Sequence, residues 1–416
     1  MSPTATESLD GFRDRARKFI RANLEPAAPS VATSLRGGRS DEEELAAVTR
    51  DRELQRLLFD AGLAGICFPR EYGGQGLTPA HQAVLNDELG GYEYPSHLQS
   101  PSISQCGPVL LEFGTEEQKR EHIPALLRGD EIWMQFLSEP GSGSDVAAAL
   151  TSAVRDGDDW VLNGSKIWTT GAWWSDWALC LARSNWDVPK HRGLTVFMVP
   201  IRHPGIKVHR IELLSGSQEF CQEFMTDVRI PDAYRIGEVD GGWTVGVRWM
   251  FHERLGTSSP LVTLSGGSHL GRSTDPVAVA RATGRLDDPT ARDLIGEART
   301  LELVGGALSS RLASAISGGQ MSDQAAAIGR LFSGVAAIRR TTIVFELAGA
   351  VGAAWTEDDG DAGEIGTDFL MRQVATIAGG TTEMARNVIS ERVLGMPRER
   401  TVDRELPFRD VPRSKR

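Results

Sequence analysis

The chain has 416 residues, of which 40% are hydrophobic, and its formal net charge at pH 7 is −11. Because this length exceeds what one ordinary hydrophobic core serves, two or three cooperating domains are expected. The acidic balance argues against a nucleic-acid partner, since proteins that bind phosphate backbones normally carry an excess of basic residues.

The sequence has no pattern typical of a membrane or secreted protein. No stretch approaches the roughly 18 apolar residues of a membrane-spanning helix, and the charged start "MSPTATESLDGFRDRARKFIRANL" does not resemble a secretory signal. The four cysteines are scattered and the eight histidines lack the paired spacing of metal ligands, so neither a disulfide framework nor a metal site is predicted. We expect a cytoplasmic protein without membrane insertion.

An N-terminal helical domain is predicted over residues 1–132. Apolar residues recur there at helical spacing, as in "ELQRLLFDAGLAG". Thr115 is followed three residues later by Gln118, the capping-box pattern in which each side chain bonds the other residue's free amide at a helix start.

A middle β domain is predicted over residues 133–240, where short runs rich in β-branched and aromatic residues alternate with turn residues. Candidate strands lie at 178–183, 193–200, 205–213 and 222–231. In "DWVLNGSKIWTT", Asn163-Gly164 stands between two such runs and predicts a tight hairpin turn. The connections are too short for crossover helices, so the sheet should be mainly antiparallel.

Helical spacing returns over residues 241–397, which we interpret as a C-terminal helical domain. Its Ala-rich helices carry few charges on one face, a pattern that favours packing against another subunit. Residues 398–416 are charged, and we expect a loose tail. The order of helices, strands and helices indicates a multi-domain α+β protein.

Two glycine-rich segments can hold a ligand. In "TIAGGTTEMARNVISERVLG", Thr381 caps a helix, while Gly379 and Gly380 let the backbone approach an anion such as pyrophosphate. In "MQFLSEPGSGSD", small polar residues can meet a polar cofactor edge. Each segment is also compatible with a plain loop or surface turn. The nucleotide patterns GxGxxG after a strand and GxxxxGK[ST] do not occur.

Five motifs, in this order along the chain, together resemble the acyl-CoA dehydrogenase family: "FGTEEQK", "SEPGSGSD", "LNGSKIWTTGA", "TDVRIP" and "IAGGTTEMARNVISERVLG". The resemblance implies FAD bound between the β domain and the C-terminal helices, and an acyl-CoA or acyl-carrier thioester as substrate. It also implies a homotetramer or dimer, and electron-transfer flavoprotein or a similar acceptor. The reaction would be removal of a hydride from the acyl β-carbon.

The resemblance assigns roles to individual positions. Gly380 and Ser144 would border the substrate, Ser144 near its CoA part. Positions that match FAD contacts of the family are Gln135, Leu137, Ser138, Trp168, Thr170, Thr381 and Glu383. Glu346 and Gly349 stand, as a partial match, where family members meet the FAD of a neighbouring subunit.

One departure from the family pattern concerns the catalytic base. Many members carry a glutamate just before the Gly-Thr of the C-terminal loop, but here Gly379 stands there and has no side chain to accept a proton. Its backbone amide can still stabilise the thioester oxygen. Some members place the base on the first C-terminal helix, where "WMFHERLG" has Glu253, and the neighbouring Arg254 would support the site. Without the resemblance, Glu253 beside Arg254 is more often part of a solvated ion pair.

A second departure lies in "SHLGRSTDPVAVARATGRLDDPTARDLIGEARTL", where the Arg-x-x-Phe-Gly element that reaches a neighbour's FAD is not visible. Arg281 and Arg285 are the nearest candidates for a diphosphate contact. A non-identical subunit would complete the site in a heterotetramer. Two other hypotheses remain: a non-catalytic subunit that completes another chain's site, and a flavin monooxygenase or oxidase of the same fold.

Overall fold

The computed structural model describes residues 7–27, 39–255, 259–264, 274–354, 361–401 and 403–412. Helices dominate the N-terminal part: α1 Leu9–Asn23, α2 Asp41–Asp60, α3 Pro79–Glu88, α4 Ser96–Leu98, α5 Gly107–Phe113 and α6 Glu116–Arg128. A buried π-helical segment, Gln99–Cys106, joins α4 to α5. The predicted start of α6 is confirmed, because Gln118 N donates to Thr115 Oγ1 at 3.2 Å and Thr115 N donates to Gln118 Oε1 at 2.8 Å.

The middle part is an eight-stranded sheet. Its strands are β1 Trp133–Phe136, β2 Ser152–Asp156, β3 Asp159–Thr170, β4 Trp177–Arg183, β5 Leu194–Pro200, β6 Ile206–Arg210, β7 Phe220–Pro231 and β8 Arg235–Ile236. The order across the sheet is β6-β7-β3-β2-β4-β5-β8, with β1 parallel to β4. Most neighbouring strands run antiparallel, as predicted.

The predicted hairpin turn at Asn163-Gly164 was wrong. Both residues lie inside the continuous strand β3, where its register against β7 shifts. Glycine is needed there because a Cβ on Gly164 would lie only 2.6 Å from the Cα of Thr151. Asn163 Nδ2 donates to Asp227 Oδ1 on the neighbouring strand, at 3.1 Å. The short connection between β2 and β3 contains Gly157 instead, with φ +65°.

The C-terminal part is helical: α7 Gly242–Leu255, α8 Pro276–Ala282, α9 Pro289–Ser317, α10 Ala326–Ala348, α11 Ala350–Ala353, α12 Asp361–Met371 and α13 Thr382–Val388. A π-helical turn, Ile389–Val393, continues α13. The first part of the segment that lacks the Arg-x-x-Phe-Gly element, residues 268–273, lies outside the described residues. Within the described chain, no helix has the length and apolar character needed to cross a bilayer.

The helix α7 packs on the β domain. Val245 and Trp249 belong to the same hydrophobic cluster as Trp133 of β1 and Phe197 of β5, and this cluster extends into α6. A separate cluster holds α8, α9 and α10 together. The end of α7, which carries Glu253, is therefore anchored by the core that supports β1.

The expectation of a loose tail was wrong for residues 403–412. Phe408 is only 2% exposed, and its ring stacks on Trp186 with centroids 5.6 Å apart. Its backbone amide donates to Val188 O at 2.9 Å, and the Arg183 guanidinium lies 4.0 Å from the ring centroid. One aromatic residue among many charges therefore docks this segment on the loop between β4 and β5.

Candidate functional site

Glu253 lies in the last turn of α7 and contacts β1. Its Oε1 accepts a hydrogen bond of 3.3 Å from Nε2 of Gln135. The carbonyl oxygen of the Gln135 amide group is buried and has no hydrogen-bond partner among the described residues. The structure thus brings the predicted base and a predicted flavin-lining residue into contact, with an unsatisfied buried acceptor beside them.

The surroundings of Glu253 make it a stronger proton acceptor than a solvated glutamate. Although part of the side chain is exposed, burial of the carboxyl group raises its pKa above the ordinary value. The hydrogen bond from Gln135 and the positive charges of Arg254 and Arg330 oppose this shift but do not cancel it. The carboxyl group therefore differs from the solvated ion-pair member that the local sequence favours.

The strand β3 runs beside the loop that follows β1. Ile167 N donates to Ser138 O at 3.0 Å, and Thr169 Oγ1 donates to Gln135 O at 3.3 Å. The carbonyl oxygen of Leu137 accepts a 3.2 Å hydrogen bond from Lys166, while its side chain is buried. The flavin-lining residues predicted on the two segments are therefore neighbours in the structure.

Trp168 sits at an irregularity of β3, where the register against β7 shifts between Ile167 and Thr169. Its φ is +65°, an uncommon backbone conformation for a bulky residue that is often found at functional sites. The indole is 54% exposed and makes only an edge contact with Phe220, at 6.0 Å between centroids, among the described aromatic residues. The bulge thus presents a large flat ring to solvent, two residues before Thr170 at the strand's end.

Two buried carboxyl groups contact residues of β3 close to Trp168. Lys166 is fully buried, and its Nζ pairs with Glu139 Oε1 at 2.9 Å. Glu223 is also fully buried and accepts a 3.0 Å hydrogen bond from Thr169 Oγ1, the hydroxyl that also contacts Gln135. Burial raises the pKa of Glu223 to about 8. A protonatable group that the sequence did not single out therefore adjoins the candidate site.

The C-terminal glycine loop has the predicted helix cap. Met384 N donates to Thr381 Oγ1 at 3.1 Å, and Thr381 has the extended backbone of a cap residue. Gly379 and Gly380 have φ values of +70° and +96°. Neither of their amides donates to an acceptor within the described part of the chain. Glu383, in the first turn of α13, is exposed.

Arg330 of α10 connects this loop to Glu253. Its guanidinium donates to the carbonyl oxygens of Ala375 at 2.9 Å and Ala378 at 2.7 Å. Its Nε lies 3.9 Å from the position that a Cβ on Gly379 would take. Arg330 was not among the residues predicted from the sequence. The available signal was a cation within the apolar, Ala-rich stretch "AAAIGRLFSGVAAI".

Ser144 lies on the exposed loop that follows β1. The next residue, Asp145, forms an ion pair of 2.6 Å with Lys190. This contact ties the loop to the connection between β4 and β5. Ser144 is therefore accessible to a ligand, but it does not lie in the cluster around Glu253.

The remaining predicted FAD contacts form a separate group at the far end of α10. Arg285 donates to Glu346 O at 2.8 Å, and the Glu346 carboxylate pairs with Arg339 at 3.2 Å. Arg281 and Gly349 lie nearby and are exposed. Arg330 and Glu346 are about 24 Å apart along the same helix. Within one chain, this group does not meet the cluster around Glu253.

The sequence matches three domain families in succession. The description "Acyl-CoA dehydrogenase, N-terminal domain" applies to residues 6–130. The corresponding middle domain matches residues 135–228, and the C-terminal domain matches residues 240–394. The three matches follow the helical, β and helical parts of the structure.

Known proteins resemble the chain over nearly its full length. "Acyl-CoA dehydrogenase IpdE1" from Mycobacterium tuberculosis is 32% identical over 94% of this chain and 99% of that relative. A solved structure described as "Tcur3481-Tcur3483 steroid ACAD" is 30% identical over 96% and 100% of the two chains, with a TM-score of 0.76. The "ChsE4-ChsE5 complex from Mycobacterium tuberculosis" contains a chain that is 26% identical over 96% and 100%, with a TM-score of 0.71. These matches show that the chain belongs to the acyl-CoA dehydrogenase family.

Proposed function

We propose that the chain catalyses the FAD-dependent α,β-dehydrogenation of an acyl thioester, with Glu253 as the base that removes the α-proton. Members of this family are FAD-dependent oxidoreductases that act on acyl-CoA. The observation that carries the proposal is the contact of Glu253 with Gln135. It places a desolvated carboxyl group beside the bulged strand that exposes Trp168.

The residues present fit a flavin cofactor. The exposed indole of Trp168 and the unsatisfied amide oxygen of Gln135 offer a flat apolar face and a buried polar contact on one side of the site. The free amides of Gly379 and Gly380 and the cap residue Thr381 offer donors on the other side. When bound, the flavin would accept the hydride that leaves the β-carbon.

The chain's own residues account for the proton step. An acyl α-proton is too weakly acidic for an unaided carboxylate, so negative charge on the thioester oxygen must be stabilised as the proton leaves. The Gly379 amide, which donates to no acceptor of the described protein, is available for that oxygen. Replacing a loop glutamate with glycine removes a side chain but leaves this donor in place.

Glu253 has the electrostatic properties that the step requires. A base is most effective when its pKa approaches the working pH, and burial moves the pKa of Glu253 in that direction. An apolar acyl chain would desolvate the carboxyl group further. Gln135 donates to one carboxyl oxygen and leaves the other for the proton.

We propose that a second subunit completes the cofactor site. Glu346 and Gly349 lie too far along α10 to join the cluster around Glu253 in the same chain, and Arg281 lies near them on α8. Because these three residues are exposed, they could contact a cofactor that is bound by a neighbouring subunit. The relatives described as Tcur3481-Tcur3483 and as a ChsE4-ChsE5 complex each combine two proteins, which supports a heterotetramer beside the simpler homotetramer or dimer.

For the substrate we propose a bulky, ring-bearing acyl group on CoA. The support is the similarity to a protein described as a steroid ACAD, together with the absence of a loop side chain at Gly379, which leaves more room at the α-carbon. A carrier-protein thioester is the alternative. Electron-transfer flavoprotein or a similar protein would reoxidise the flavin.

Anaerobic flavin reduction tests the proposed reaction. A panel of linear, branched and ring-bearing acyl-CoA thioesters is mixed with the FAD-loaded protein, and bleaching of the flavin absorbance is followed. We expect bleaching without oxygen by at least one ring-bearing thioester. Glu253→Gln should keep FAD bound and lower the bleaching rate by about 100-fold or more, the usual contribution of a general base. Undiminished bleaching in this variant would place the base elsewhere.

The same experiment separates the competing functions. A monooxygenase of this fold need not bleach with acyl-CoA in the absence of oxygen. An oxidase would bleach, but admitting oxygen would then reoxidise its flavin rapidly and release hydrogen peroxide. A non-catalytic subunit, suggested by the separated FAD contacts, would be colourless alone and would become yellow only with a second protein. Stoichiometric FAD in the purified single chain would exclude that hypothesis.

A further inference from the structure

Arg330 interacts with three parts of the candidate site: the segment that contains Ala375 and Ala378, the space beside Gly379, and the Glu253 carboxyl group. Its two terminal nitrogens hold the carbonyl oxygens of Ala375 and Ala378, at 2.9 and 2.7 Å. Its Nε faces the space beside Gly379, at 3.9 Å from an added Cβ. Its positive charge acts on Glu253, although Arg330 and Glu253 lie on different helices.

We propose that Arg330 is a positioning residue of the active site. It fixes the loop backbone that carries Gly379 and holds a positive charge beside the Glu253 carboxylate. This inference rests on the proposed function, because it assigns a purpose to the base and to the Gly379 amide. A side chain at position 379 would begin beside this guanidinium, because its Cβ would lie 3.9 Å from Nε. Because glycine stands there, no carboxylate at position 379 competes with Glu253 for the positive charge of Arg330.

Among the described residues, Arg330 is the cation from another helix that acts on the Glu253 carboxyl group. On α7 itself, Arg254 adds a second positive charge. From β1, the neutral Gln135 donates its hydrogen bond. From α5, Glu112 is engaged by Arg248 and His252 of α7, at 2.7 and 2.9 Å.

The packing of α10 shows that the segment before Gly379 lies in direct contact with this helix. A Cβ on Gly334, one turn after Arg330, would lie 2.9 Å from Ala375 O and 2.8 Å from Nη1 of Arg330. Such contacts are too short to form without movement of the loop or the guanidinium. The loop backbone therefore packs directly on the helix. Arg330 forms hydrogen bonds with Ala375 and Ala378, the first and last residues of the segment 375–378 that precedes Gly379.

Arg330 acts on Glu253 through its charge and on the loop through its hydrogen bonds, and two variants separate these effects. Arg330→Met removes both, whereas Arg330→Lys keeps the charge but cannot bridge two carbonyl groups as a planar guanidinium does. Arg52→Met is the matched control. Arg52 holds the carbonyl oxygens of Gly129 and Asp130 at 3.0 and 2.9 Å, and it lies on α2 in the N-terminal domain.

Two measurements on the FAD-loaded full chain need no substrate. Hydrogen exchange, followed by mass spectrometry, reports protection of the amides at residues 375–383. Infrared difference spectra of protein labelled with carbon-13 in glutamate report the protonation of Glu253, with the band assigned by its loss in Glu253→Gln. For Arg330→Met we expect at least about tenfold faster exchange in the loop, and a Glu253 pKa above that of wild type because an opposing positive charge is lost.

Arg330→Lys should restore the Glu253 titration but leave loop exchange fast, and Arg52→Met should change neither. The rate of anaerobic flavin reduction in Arg330→Met should fall about tenfold or more, with its pH dependence displaced upwards. Wild-type loop protection and wild-type Glu253 titration in Arg330→Met would overturn the inference. If Glu253→Gln still reduces flavin at the wild-type rate, the proposed function fails instead, while exchange and infrared data still decide the role of Arg330.

Discussion

The two groups of predicted FAD contacts differ in how complete they are within one chain. Around Glu253, residues from β1, β3, α7, α10 and the glycine loop contact one another through hydrogen bonds and electrostatic interactions. At the far end of α10, Arg281 and Gly349 are exposed, and Arg285 bonds the backbone of its own bundle. The first group is preformed, and the second faces outward.

This difference suits an assembly in which the two groups of one chain would act at different cofactor sites. The preformed group contains the residues that would handle the proton and the flavin ring, where small displacements cost most in rate. The outward group would supply binding contacts to a neighbour. Under the proposed function, a single chain would carry part of each of two cofactor sites. Substitutions in the two groups should therefore have different consequences.

The largest effect on folding is expected from one of the two tryptophans of β3, which differ in burial. Trp160 is 3% exposed and donates to Asp232 at 2.7 Å, so Trp160→Ala should cost about 3–5 kcal/mol of unfolding free energy. Trp168→Ala, at a 54% exposed site, should cost little stability but weaken FAD binding about tenfold. Urea unfolding and FAD titration check both expectations. Equal loss of stability in the two variants would contradict a ligand-facing Trp168.

A smaller effect, which depends on pH, is expected from Glu223. Burial raises its pKa from 4.5 to about 8, so the folded protein holds this proton more tightly than the unfolded chain. That contribution to stability is full below about pH 4.5 and is lost as the pH rises towards 8. Glu223→Gln stays neutral throughout, so its unfolding free energy should exceed that of wild type increasingly with pH, by on the order of 3 kcal/mol near pH 9.

Thermal and urea unfolding between pH 5 and pH 9 measure the effect of Glu223→Gln. Glu117→Gln, at an exposed position of α6, is the matched control. A difference between Glu223→Gln and wild type that stays constant across this range would show that the Glu223 carboxyl group is not protonated preferentially in the folded state.

The smallest effect on the isolated chain is expected in the outward group. Arg281 is exposed, so Arg281→Met should change the unfolding free energy by less than about 0.5 kcal/mol. FAD content per chain should nevertheless fall in the assembled protein, because the missing contact belongs to a neighbour's cofactor. Analytical ultracentrifugation with flavin absorbance measures both quantities together. Unchanged FAD content in the assembled variant would remove Arg281 from the cofactor site.

Local patterns predicted much of the fold because the interactions behind them are local. The caps at Thr115 and Thr381 each require only a side chain and an amide three residues away. The three-part order of helices and strands follows from hydrophobic periodicity in the same way. Within the site, the positions on β1, β3 and α7 were identified from motifs, and the structure brings them together.

The features that sequence missed depend on distant residues. Asn163-Gly164 has the composition of a hairpin turn, but the close approach of Thr151 uses the same glycine inside a strand. The charged C-terminal segment docks through Phe408 because Trp186 provides a partner far away in sequence. Arg330 became visible only when folding brought α10 against the loop before Gly379.

The most direct test of the central claim isolates the proton step from hydride transfer. An acyl-CoA thioester with sulfur in place of the β-carbon can lose an α-proton but has no β-hydride to transfer. Incubated with the FAD-loaded protein in deuterium oxide, it should take up deuterium at the α-carbon with wild type and at least about 100-fold more slowly with Glu253→Gln, at equal FAD content. Exchange at the wild-type rate in Glu253→Gln would contradict the account.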